Sequence, residues 1–159
     1  MDAELRKKES VLFYSGMALI VFTIWSVTKT IIAGVVNPAE LKGLFTDIVG
    51  YQERRIYFLI AMVIYAVVVA VEIVFHFYIG ISSIKDSRGE SKSIVYIIVA
   101  FIFLLLNIVV IVYTYFIDRI EHFGMNEFAS LIIDATSLYI LVEIVISGFQ
   151  IRSIRKKTA

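Results

Sequence analysis

Apolar residues run along this chain in four long blocks, Val11–Val36, Ile56–Ile84, Ser93–Ile117 and Phe128–Ile151, parted by shorter polar segments. Each block exceeds the roughly 20 residues that carry a helix across the hydrocarbon core of a bilayer. A buried core helix of a soluble domain is shorter and shows a polar face. The pattern therefore predicts an all-α integral membrane protein, a four-helix antiparallel bundle forming one membrane domain over residues 1–159.

The segments between the blocks refine this picture. Lys85–Lys92 is polar and contains Gly89, the signature of a tight turn between the second and third spans. Gly124 and then Asn126, a helix cap, precede the fourth span. Between the first two spans, Asn37-Pro38-Ala39-Glu40 reads as a helix start, with a capping Asn, Pro at the first helical position and an acid in the first turn. Leu41, Leu44, Phe45, Ile48 and Val49 then recur at helical spacing, which predicts a short helix over 38–49 lying in the outer interface. An ordered loop packed on the bundle is the plainer alternative.

A tetrapeptide recurs. Val71-Glu72-Ile73-Val74 lies in the second block and Val142-Glu143-Ile144-Val145 in the fourth. Shifting one onto the other also superposes Ser82 on Ser153 and Lys85 on Lys156. The first and third spans match only loosely. Each repeated unit holds two crossings, so two hairpins related by a parallel repeat are expected, unlike the inverted repeats of many transporters. Coincidence among aliphatic residues is the competing explanation, and the weight rests on the two glutamates.

Charge decides orientation. Arg6, Lys7, Lys8, Lys85, Arg88, Lys92 and the Arg152–Lys157 cluster fall on one side, and Lys42, Arg54, Arg55 and Arg119 on the other. Cytoplasmic loops retain the excess of Lys and Arg, so both termini are expected in the cytoplasm of a multi-pass protein of the cell membrane. The basic lead-in to the first span resembles a secretory signal, but its apolar run is too long and no A-x-A-type cleavage site follows; a retained signal-anchor is expected.

Composition narrows the function classes. The 159 residues are 60% hydrophobic, with a mean hydropathy of +0.88, too apolar for an ordinary soluble domain. A formal net charge of +1 gives no reason to expect nucleic acid. Basic clusters beside spans contact anionic headgroups and fix topology. There are no cysteines and two histidines, His76 and His122. That excludes disulfides and thiolate metal sites and gives no expectation of a cofactor or metal. His122, near Asp118 and Glu121, lacks the ligand count of a zinc site. H-E-x-x-H, G-x-S-x-G and glycine-rich phosphate loops are absent, so no enzyme is expected.

The candidate chemistry lies within the spans. Tyr65, Glu72, His76 and Ser83 share one stripe of the second span by their spacing. Thr136, Tyr139, Glu143, Ser147 and Gln150 share one stripe of the fourth, and Tyr96, Asn107, Thr114 and Asp118 stay roughly in phase on the third. These stripes are expected to face one another, since lipid offers them no partners. Glu72 lies about 18 Å from the cytoplasmic end of its span at 1.5 Å per residue, where a carboxylate favours its protonated form and two close together share a proton. Glu72, Glu143, His76, Tyr65, Tyr139 and Asn107 thus form a candidate proton or small-cation site. Lys29 and Asp134, at matching depth below the outer ends of spans one and four, form a candidate ion pair, with snorkelling of Lys29 as the alternative.

Three readings stay open: a proton or cation path through the two acids, a structural hydrogen-bond network, and docking of a glutamate against another membrane subunit. The expectation is a small, non-enzymatic accessory or assembly component, in contact with the lipid bilayer and with a homo-oligomer or another subunit as partner. A proton- or cation-coupled transporter or channel is the alternative.

Overall fold

A computed structural model describes residues 2–36, 51–90, 93–113 and 125–158. They form four helices in chain order: α1 (Asp2–Val36), α2 (Tyr51–Ser87), α3 (Val95–Val112) and α4 (Met125–Thr158). All four are long and apolar enough to cross a membrane, over Ala3–Thr28, Ala66–Ser87, Val95–Val112 and Leu131–Lys157. The expected interfacial helix 38–49 and the loop around His122 lie outside the described residues.

The helices outrun the apolar blocks. α1 begins at Asp2, well before Val11, because Glu4, Leu5, Arg6, Lys7 and Lys8 are good helix formers. α2 starts at Tyr51 and runs to Ser87. It stops at Gly89, whose φ of 77° lies in the left-handed region that glycine enters without steric cost. There the Gly89 amide donates to the Asp86 carbonyl at 3.0 Å and the Glu90 amide to the Lys85 carbonyl at 2.9 Å. These bonds satisfy carbonyls that the helix end leaves open. α3 opens with the Val95 amide donating to the Ser93 hydroxyl at 3.3 Å.

The chain divides into two compact units, one of Met1–Phe22 with Phe77–Ala159 and one of Thr23–His76. The larger unit holds the core. Leu12 and Leu19 from α1, Ile79 from α2, Tyr96, Ile97 and Ala100 from α3, and Leu141, Ile144 and Ile151 from α4 are all buried in it. Two close approaches organise this core. A Cβ built on Gly16 would meet the Gly80 carbonyl oxygen at 2.8 Å, and one built on Gly148 would meet Ile97 Cδ1 at 2.9 Å. Small residues let membrane helices approach until dispersion contacts and weak polar contacts hold them, where water exclusion supplies no drive.

The smaller unit comprises the later part of α1 and the earlier part of α2. Ile24, Trp25, Leu59, Val63, Val67 and Val71 are exposed on it, while Thr23 and His76 are buried. Large apolar side chains exposed along spanning helices are suited to lipid contact.

Candidate functional site: a buried carboxylate at the helix ends

A cluster of polar groups gathers around Asp86, the second-to-last residue of α2. Its side chain is 1% exposed. Oδ2 accepts a hydrogen bond from the Tyr96 hydroxyl at 2.7 Å and another from Arg152 Nη2 at 3.0 Å. Oδ1 accepts from Arg155 Nη1 at 2.9 Å. Arg155 Nη2 donates to the Asp86 backbone carbonyl at 2.9 Å and to Glu9 Oε1 at 2.9 Å. Arg152 Nη2 also reaches the Ser93 carbonyl.

The partners come from all four helices or their ends. Glu9 stands on α1, Asp86 on α2, Ser93 and Tyr96 at the start of α3, and Arg152 and Arg155 on α4. The two arginines are three residues apart, so both point from one face of α4. Two guanidinium groups meet two carboxylates, so the group is compensated in charge. Chemically it fastens the helix ends together. A buried ion pair is costly to desolvate, and its value lies in the penalty for breaking it and in the register it fixes.

Sequence reasoning read Arg152 and Arg155 as topogenic charges and Tyr96 as part of the polar stripe of the third span, and assigned Asp86 no partner. One signal was present: Arg152 and Arg155 at helical spacing on α4, with a lone acid, Asp86, ending α2. Tyr96 supplies a testable contact. Tyr96→Phe removes one donor to a charged acceptor and is expected to cost about 1.5 kcal/mol, read as a lowered unfolding midpoint in detergent. An unchanged midpoint would mean that the hydroxyl contributes nothing to the cluster.

The residues predicted to form a proton or cation site are placed as follows. Glu72 is 53% exposed, and its Oε1 lies 3.8 Å from Nδ1 of buried His76, one turn on. That distance exceeds a hydrogen bond and makes an ion pair only when His76 is protonated. Both belong to the smaller unit. In the larger unit, Glu143 is half-buried one turn after Tyr139. Tyr139 itself is 61% exposed, which departs from an inward stripe. The buried face of α4 is set by Ile140, Ile144, Gly148 and Ile151, and Tyr139 falls out of phase with them. Asn107 is half-buried and donates to the Phe103 carbonyl of its own helix at 2.9 Å. The side chains of Tyr65 and Lys29 lie outside the described residues, while Asp134, the expected partner of Lys29, is half-buried. Among the described residues, His, Asp and Glu form no group of three suited to hold a metal ion.

No protein-family model, curated protein or solved structure matches this chain.

Proposed function

We propose that this is a non-enzymatic accessory or assembly component of the cell membrane, an antiparallel four-span bundle with both termini in the cytoplasm. Gly16, in the first half of α1, meets Gly80, near the end of α2. Tyr96, at the start of α3, lies beside Gly148, near the end of α4. Early residues meeting late ones support antiparallel neighbours. The bias of Lys and Arg supports the orientation, and the shared V-E-I-V segments support two related hairpins.

The observation that carries the assembly reading is Glu72. Its carboxylate is half-exposed on a spanning helix, among exposed Val68, Val71 and Phe75. Ionisable groups at such depth pair with one another or with a neighbouring polar group. A second membrane helix bringing a cation or hydrogen-bond donor answers that need. Glu72→Gln is expected to reduce recovery of a co-purifying membrane subunit by about tenfold, the equivalent of one lost charge-assisted contact. The readout is affinity capture after mild detergent extraction; recovery equal to wild type would sink the assembly reading.

The competing reading is a proton- or cation-coupled path, and it draws on Glu72 with His76 and on Glu143 with Tyr139. Proteoliposome flux separates the two. Proton or monovalent-cation flux in wild type that disappears in Glu72→Gln/Glu143→Gln would establish a path; a folded wild type without flux leaves assembly.

A further inference from the structure

We propose that the charged end of the larger unit binds anionic phospholipid headgroups of the leaflet in which it sits. The inference is independent of whether Glu72 docks a partner or carries a proton. Asp86 and Glu9 are engaged by Arg152 and Arg155, so the charges of these four residues offset one another. Outside the cluster, Arg6, Lys7, Lys85, Arg88, Lys156 and Lys157 are all exposed, against the exposed carboxylates of Glu4 and Glu90. The surface therefore keeps a net positive charge.

Two further features make this one surface. The cations come from α1, the end of α2 and the end of α4, and the Asp86 cluster pins these three elements together. Arg88 is held with its guanidinium carbon 5.4 Å from the centroid of the Phe13 ring, and Phe13 packs edge-on against Tyr14 at 5.6 Å. Stacking on a ring orients a guanidinium, and its forked donors match the free oxygens of a phosphate diester. The occupant is a lipid because Lys85, Lys156 and Lys157 fall within the last residues of apolar lengths able to cross a membrane. That places them at headgroup depth, where each basic residue adds attraction to an anionic surface.

The test uses the full chain in nanodiscs of equal phosphatidylglycerol and phosphatidylcholine, with retained lipid counted by native mass spectrometry. Wild type is expected to retain phosphatidylglycerol preferentially. Lys85→Gln/Arg88→Gln should weaken that preference by about 30-fold, the sum of two basic residues. Lys156→Gln/Lys157→Gln, which leaves the turn after α2 untouched, should weaken it similarly and serves where the first variant fails to fold. Equal retention of the two lipids by wild type overturns the proposal, as does an unchanged preference in a folded variant. A thermal shift in detergent from inorganic phosphate alone, matching that from phosphatidylglycerol, also overturns it and assigns a soluble-anion site.

Discussion

Asp86→Ala is expected to destabilise the protein by about 3–5 kcal/mol, the cost of removing one partner from a buried ion pair. The loss is large because the carboxylate is 1% exposed and holds two guanidinium groups and a phenol. With Asp86 gone, Arg152 keeps the Ser93 carbonyl and Arg155 keeps Glu9 and the Asp86 backbone carbonyl. Neither set replaces the lost negative charge. Glu9→Gln should cost much less, since Glu9 and Arg155 are both partly solvent-accessible and such pairs contribute about 1 kcal/mol or less. A reversible unfolding titration in mixed micelles measures both. The decisive comparison is a double-mutant cycle of Asp86→Asn with Arg155→Gln, which isolates the pairwise coupling from the cost of stranding either charge. Coupling below about 0.5 kcal/mol would mean that the cluster is a bystander of helix packing.

Why this cluster was illegible in the sequence follows from what periodicity reports. Spacing of three or four residues says which side chains share a face of one helix; it does not say which other helix that face meets. The apolar blocks located all four helices because bilayer thickness imposes a length that composition alone can meet. The charged residues beside them were legible as flanks and their pairing was not. The shift that lays Glu72 on Glu143 lays Asp86 on Lys157, so the recurrence of the tetrapeptide gave no pointer to the buried acid.

Tyr139 shows the complementary difficulty. Its spacing to Glu143, one turn on, was legible. Its exposure was not, because a polar stripe marks only one edge of a helix face. Ile140, Ile144, Gly148 and Ile151 decide which side is buried, and in an apolar span their aliphatic neighbours look the same. Glu72 and Tyr139 consequently stand on exposed surface, whereas the acid and phenol held inside are Asp86 and Tyr96.

The helix crossing at Gly16 and Gly80 gives the second large effect. Gly80→Leu is expected to cost about 3 kcal/mol, the upper part of the range for overpacking a filled core. A Cβ on Gly80 would stand 2.6 Å from Ile20 Cγ1 and 2.9 Å from the Gly16 carbonyl oxygen. The first obstacle is a side chain that can be trimmed, and the second is backbone that yields only if the helices separate. Gly80→Ala should therefore be milder than Gly80→Leu, and pairing it with Ile20→Ala should recover only part of the loss, because the Gly16 carbonyl remains. Gly16→Ala meets the same barrier from the other side, with the Gly80 carbonyl 2.8 Å from the new methyl. Unfolding midpoints of the four variants in one detergent test this order. Full recovery in Gly80→Ala/Ile20→Ala would show that the side chain alone sets the approach; a Gly80→Leu protein as stable as wild type would show that the two helices do not cross at these glycines.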